Sequence, residues 1–377
     1  MESDFSWLLW GLPIAFVLGW LASRLDLRQL RIENRQAPKA YFRGLNYLLN
    51  EQQDQAIDAF IEAVRNDPDT SELHFALGNL FRRRGEYERA VRVHEHLLSR
   101  ADLSRADRQR AQHALALDFL KAGLLDRAED ALRKLEGSAH EGQALLALLS
   151  IYERTRDWVQ AGEIARKLSE GGHGDFSGRL AHYLCEQAAQ AGAEEALQLV
   201  QEAARIAPGA ARPGLELAAL QQRAGQHRAA FDTLVDVITR APLSAGLAAR
   251  PLAQAAIECG QAARAREILR ACHEAAPTLD VLEALVLLDT EAQTARDWYI
   301  RHLEREPSLV AAAKWVAGEK LEHEQFHPLV QRALDQAVKP LTRYRCAACG
   351  FEANRHFWQC PGCQAWESYP ARRVEEL

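Results

Sequence analysis

The chain has 377 residues, 48% of them hydrophobic and 26% charged, so it can bury a core and is not globally disordered. Aromatics are only 7% and the apolar share is carried by Ala and Leu, a composition that leans toward helix and away from a β-sandwich. A net charge of −6 argues against a globally basic nucleic-acid binder, and an odd count of seven Cys does not suit a secreted disulfide framework. The length predicts either two or three units or a repeat array.

The first element is a predicted membrane anchor. Residues 5–23 carry no charge, and nineteen helical residues span roughly 28 Å, close to the hydrocarbon thickness. Trp7 and Trp10 sit near one end and Trp20 near the other, as interfacial side chains do; Pro13 lies between them and is tolerated in a membrane helix. Glu2 and Asp4 precede the span, while Arg24, Arg28, Arg31 and Arg35 follow it. Positive charge stays inside, which predicts a single pass with an external N-terminus and the rest of the chain in the cytoplasm. A cleaved signal peptide needs a basic segment before the apolar run, and here that segment is acidic. A buried core helix is the remaining alternative; the flanking charges favour the anchor. The predicted boundaries are 1–23 for the anchor and 24–37 for a basic juxtamembrane linker.

The middle, 38–338, is predicted to be an all-α repeat. Ala56, Ala90, Ala128, Ala161, Ala196, Ala230 and Ala265 recur at intervals of 34, 38, 33, 35, 34 and 35 residues. Gly85, Gly123, Gly225 and Gly260 stand five residues before their anchors and mark the turn between paired helices. Pro68, Pro208, Pro242 and Pro277 stand twelve after. An eighth, shortened copy runs through Ala295, Tyr299 and Pro307, and 309–338 closes the stack. The pattern resembles the tetratricopeptide repeat: the first copy has Gly44, Tyr47, Ala56, Phe60, Ala63 and Pro68 at the family's positions, and later copies drift, with Leu149 and Leu184 in place of the Gly. Such solenoids bind partners on the face lined by the first helix of each pair. Arg82, Arg83, Lys121, Arg154 and Arg223 lie near the end of that helix and form a candidate partner-binding strip for an acidic segment. The simpler account, which we prefer, is that cations favour the last turn of any helix.

The tail, 339–377, carries two Cys-x-x-Cys pairs, Cys346 with Cys349 and Cys360 with Cys363, ten residues apart. Together they supply the four thiolates of a closed, structural, tetrahedral site, with Gly350 and Gly362 easing the turns. So short a tail depends on metal binding for much of its folding energy. The knuckles look like those of rubredoxin and of zinc ribbons; the short spacer favours one zinc ion over iron. Cys185, Cys259 and Cys272 lie singly and read as small core residues.

Other motifs compete with these. His323-Glu324-Gln325-Phe326-His327 matches the zincin metalloprotease pattern, but Pro328 disfavours helix at His327 and no third ligand follows. His94 and His96 diverge on a helix, and the Gly-rich stretch 171–178 lacks the Lys-Ser/Thr of a phosphate loop. Arg343, Arg345, Arg355, Arg372 and Arg373 could suggest a nucleic-acid ribbon, against which a solvated face is preferred. No catalytic residues are predicted.

Anchor, repeats and terminal knuckles in this order resemble the lipopolysaccharide assembly protein B (LapB) family of Gram-negative bacteria; Cys346-Ala-Ala-Cys-Gly350 with Trp358-Gln-Cys-Pro-Gly-Cys363 and Trp366 is similar to that family's terminal signature. The resemblance implies a non-enzymatic adaptor at the inner membrane, N-terminus periplasmic. It implies coupling of a membrane AAA protease (FtsH-like) to the lipid A deacetylase (LpxC-like), restraint by a membrane lipopolysaccharide sensor, metal at Cys346, Cys349, Cys360 and Cys363, and a knuckle domain docked on the repeats. The alternatives are a zinc metalloprotease and a rubredoxin-like electron carrier.

Overall fold

A computed structural model describes residues 16–17, 20, 39–66, 70–289, 291–319 and 324–377. The predicted span 5–23 lies outside these apart from Phe16, Val17 and Trp20, which are helical and exposed. Among the described residues no helix is long and apolar enough to cross a membrane.

Helices follow one another with the predicted period. The chain is helical over 39–49 and then over Gln53–Asn66. Next come Ser71–Arg83 with Tyr87–Ser99, Arg105–Ala122 with Leu125–Arg133, and Glu141–Thr155. Trp158–Glu170 precedes the pairs Ser177–Gln190 with Ala193–Ile206, Ala211–Arg223 with His227–Arg240, and Ala245–Glu258 with Ala262–Ala275. Leu279–Leu288, Ala292–Leu303, Leu309–Ala317 and His327–Val338 complete the helical part. The irregular spacings have a visible cause: Arg105–Ala122 is an 18-residue helix, which lengthens one step, and Leu125–Arg133 has only 9 residues, which shortens the next.

All seven anchor alanines are buried in the second helix of their pairs. A methyl group is the largest side chain that such close helix contact admits. The predicted turn glycines, Gly85, Gly123, Gly225 and Gly260, have φ of 80°, 77°, 73° and 70°, the left-handed conformation that ends a helix cheaply only at glycine.

The chain divides after Arg154 into two compact units. In the first, Ala56, Phe60, Ala63, Leu73, Leu77, Leu80, Phe81 and Ala90 form one core. Below it lies a buried polar network. His94 donates through Nδ1–H to Asp118 at 2.5 Å, and Arg82 donates to the other oxygen of that carboxylate at 2.8 Å. Both His94 and Asp118 are fully buried. In the second unit, the alanine-rich helix Ala245–Glu258 is apolar nearly all round and sits at the centre of the core, with Phe231, Leu234, Leu269, Leu282 and Leu285 about it. Cys185 is buried and its thiol is pushed up to about 12 by that burial; Cys259 and Cys272 pack half-buried against the core. All three behave as small apolar residues.

The tail adds a two-stranded antiparallel ribbon, β1 (Tyr344–Arg345) with β2 (Glu352–Ala353), pairing Tyr344 with Ala353. Tyr344, Cys346, Cys360 and Tyr369 are its buried core, and Leu247 of the Ala245–Glu258 helix packs into it.

Gly78 marks a tight helix contact: a Cβ there would lie 2.5 Å from the His94 imidazole. Gly78→Ala gains about 1 kcal/mol of helix propensity but overpacks a ring that Asp118 holds in place, at a cost of about 1–3 kcal/mol or more. We expect net destabilisation of the first unit, read as a lower denaturant midpoint with an unchanged slope.

Candidate metal centre

The two knuckles are built alike. In the first, the Gly350 N–H returns to the Cys346 carbonyl at 2.9 Å; in the second, the Gln364 N–H returns to the Cys360 carbonyl at 2.8 Å. The residue after the second Cys of each pair is left-handed, Gly350 at φ 79° and Gln364 at φ 61°. Gly362 lies within the second turn, and the left-handed place after its second Cys falls to Gln364, which carries the strain of a side chain there.

The fold brings the four sulphur atoms within 4.8 Å of one another. Cys346 and Cys363 are 3.8 Å apart, Cys349 and Cys360 3.7 Å. A disulfide requires about 2.05 Å, so these are not bridges. A tetrahedron with metal–sulphur bonds of about 2.3 Å has edges of about 3.8 Å, which the observed spacings match. The donor set therefore fits one soft, tetrahedral metal, and S₄ geometry serves zinc and iron alike. The electrostatics agree with a site awaiting positive charge. Burial raises the Cys346 thiol, but hydrogen bonds from Ser368 and the backbone outweigh it and bring the group down to about 6. Cys349, despite the Phe351 N–H beside it, is pushed up to about 12 by burial and its sulphur neighbours. Four thiolates cannot share this space until a cation neutralises them. Among the described residues this is the one group of Cys, His, Asp or Glu with metal-binding spacing.

The ribbon is seated on the repeats of the second unit through aromatic and charged contacts. Trp366 stacks on His182 with centroids 4.8 Å apart, and meets Tyr183 and Trp158 edge-on. His182 Nδ1 lies 3.4 Å from an Arg212 donor, and its Nε2 lies 3.0 Å from Glu367. The network assigns the ring nitrogens: Arg212 donates to Nδ1, so Nε2–H donates to Glu367. This hydrogen bond holds the Glu367 carboxyl below the ordinary carboxylate range. Further along, Arg373 makes a bidentate pair with Asp280 at 2.9 and 2.5 Å and lies 4.0 Å over the Tyr344 ring. Tyr344 donates to the same Asp280 at 3.1 Å.

The predicted basic strip separates into two kinds of residue. Arg83, Lys121, Arg154 and Arg223 are exposed in the last turns of their helices, as the dipole account requires. Arg82 is not part of a strip: it is committed to Asp118, the Ala114 carbonyl and Asn79. Among the tail arginines, Arg345, Arg355 and Arg372 are exposed, as the solvated-face reading expects, with Arg343 and Arg345 paired to Glu352 and Arg355 over Phe357; Arg373 departs from it and grips Asp280 in a half-buried pair. The His-Glu-x-x-His motif finds no support among the described residues. Glu324–Phe326 is a 3₁₀ turn, His327 lies 3.3 Å from the Val316 carbonyl, and His323 lies outside the described residues. His94 is buried and His96 exposed, so that pair shares no ligand.

Comparison with known proteins sharpens this picture. A tetratricopeptide repeat family model matches residues 73–109, and a model described as a rubredoxin metal-binding domain matches 344–369. The chain is 30% identical to lipopolysaccharide assembly protein B of Escherichia coli K12, over 97% of this chain and 98% of that protein. It belongs to the lipopolysaccharide assembly protein B family. A second member, from Haemophilus influenzae Rd, is 29% identical over 95% of this chain and 96% of its own length. Solved structures with likeness include a tetratricopeptide repeat protein from Parabacteroides merdae, 14% identical, covering 67% of this chain and 99% of that one, with a TM-score of 0.36. Another is Naa15/Naa10 bound to HypK-THB, 14% identical, covering 81% of this chain and 48% of that one, with a TM-score of 0.47. In this family member the seat of the ribbon (His182, Arg212, Asp280, Glu367) is what sequence reasoning missed. No spacing signals it, because the ribbon meets it across long intervals, 93 residues from Asp280 to Arg373 and 185 from His182 to Glu367.

Two outcomes follow. Elemental analysis of the purified chain should find one metal ion per chain, released as pH falls because protons compete for the thiolates. Arg82→Ala leaves the buried Asp118 carboxylate with His94 alone, and should cost about 3 kcal/mol in a denaturation measurement; Arg83→Ala and Lys121→Ala should change it by less than about 0.5 kcal/mol.

Proposed function

We propose that this chain is a membrane-tethered cytoplasmic adaptor of lipopolysaccharide assembly. In this reading the 5–23 segment anchors it in the inner membrane, the repeats carry partners, and the metal-stabilised ribbon completes the partner-binding end. It presents the lipid A deacetylase to a membrane AAA protease, so limiting lipopolysaccharide production, and a membrane lipopolysaccharide sensor restrains it. The observation that carries the proposal is similarity along almost the whole chain to lipopolysaccharide assembly protein B, ribbon included. Physical features support it. Helical repeats bury their own small residues and leave extended surface for partners rather than an enclosed reaction cavity. The four thiols form a closed set with no position reserved for substrate, which suits a structural metal. Confinement to a membrane surface raises the effective concentration of the adaptor for membrane-bound partners.

The test is deacetylase turnover in cells. Deleting the gene should raise the steady-state deacetylase several-fold, the intact chain should restore it, and a form with Cys346, Cys349, Cys360 and Cys363 changed to Ser should not. Unchanged deacetylase turnover in the deletion strain overturns the adaptor reading.

A further inference from the structure

Two separate sets of contacts hold the ribbon on the repeats, and only one of them touches the thiol site. The first runs through consecutive residues. Ser368 Oγ lies 3.2 Å from Cys346 Sγ, and the Ser368 carbonyl accepts the Ala347 N–H at 2.7 Å, so its hydroxyl and its carbonyl both meet the first knuckle. Glu367, its neighbour, bonds His182, and its own N–H donates to the Trp358 carbonyl at 2.8 Å. Trp366 covers His182, Tyr183 and Trp158. Glu367 is held at φ 51°, a conformation a side-chain-bearing residue adopts only where its surroundings impose it.

The second set is a clasp made by the last residues of the chain. Arg373 grips Asp280. Glu375 accepts from Ser308 Oγ at 2.7 Å and from the Leu309 N–H at 2.5 Å, at the start of one helix. Glu376 accepts from the Leu279 N–H at 2.5 Å, at the start of another. Carboxylates at helix N-termini meet unpaired N–H groups and the positive end of the dipole. Gly246 lets the tail approach, since a Cβ there would lie 2.9 Å from the Ala371 carbonyl. No residue of the clasp bonds a cysteine.

We propose that Ser368 and Glu367 relay metal occupancy of the four-thiol site to the Trp366–His182 contact, while the Arg373–Glu376 clasp holds the ribbon to the repeats whether or not metal is bound. This rests on the metal reading of the site. The Ser368 hydroxyl bridges the Cys346 sulphur and the Ala365 carbonyl, each at 3.2 Å, and so ties the first knuckle to the turn that leads into Trp366. That bond fixes the segment which presents Glu367 and Trp366. Without metal the knuckles lose their common centre, and the left-handed residues Gln364 and Glu367 are free to relax. The ribbon then opens at Trp366 and stays tethered at Glu375 and Glu376.

The experiment uses the full chain in detergent, with metal content measured first. Hydroxyl-radical footprinting of Tyr183 and Trp158, both now buried, reports the Trp366 contact; hydrogen exchange at the Leu309 and Val310 amides reports the clasp. Chelation should raise Tyr183 and Trp158 reactivity at least threefold and leave the two amides unchanged. Ser368→Ala should raise reactivity similarly while one metal per chain remains bound. Glu375→Gln with Glu376→Gln should speed exchange at Leu309 and Val310 at least tenfold, with metal content and Tyr183 reactivity unchanged. Absence of metal from the purified chain overturns the metal reading itself. Metal present, with Tyr183 still protected after chelation or in Ser368→Ala, overturns the relay alone. Opening of both contacts on chelation overturns the independence of the clasp.

Discussion

The close approach of paired helices at buried small residues is the constraint on which this structure depends. Ala56, Ala90, Ala128, Ala161, Ala196, Ala230 and Ala265 are buried where the second helix of each pair meets its neighbours, and larger residues such as Phe60, Leu234 and Leu269 fill the space between. Each pair is too small to bury its own apolar face, so its stability comes from the next one. At Gly78 the missing side chain makes room for His94, which is held by Asp118, itself paired with Arg82. A buried charge network of this kind contributes less to net stability than an apolar contact of the same size, but breaking any member of it is costly. It therefore specifies one arrangement of neighbouring pairs.

The ribbon answers the same problem at the end of the chain. Its own core is four side chains, two of them cysteines. That is too little to hold a fold, and two further sources stand beside it: a four-thiol set that fits a tetrahedral metal, and the surface of the repeats. Leu247 enters the ribbon's core from a repeat helix, while Trp358 packs onto the core of the repeats. The ribbon is thus an extension of the second unit. Several of its arginines take part in the same work, on Glu352, Phe357 and Asp280.

Features set by local geometry could be read from the residues alone. The repeat period, the left-handed turns at Gly85, Gly123, Gly225 and Gly260, and the twin knuckles each depend on a few neighbours in sequence. Features set by distant partners could not. Arg82 looked like one member of a row of cations until its carboxylate, 36 residues away, was in place. The left-handed residue of the second knuckle is Gln364, because that position follows the second Cys, as Gly350 does in the first. At the zincin-like motif the expectation from Pro328 did not hold: His327 opens the helix His327–Val338 with Pro328 in its first turn, where proline is tolerated, while His323 lies outside the described residues.

By itself, then, the sequence determined the helical period, the small-residue contacts and the identity of the four thiols, since each of these is written in spacing along one chain. Only the tertiary structure decided which charges are structural and where the ribbon sits. Those depend on pairs such as Glu367 with His182 and Arg373 with Asp280, which meet across 185 and 93 residues and leave no periodic trace.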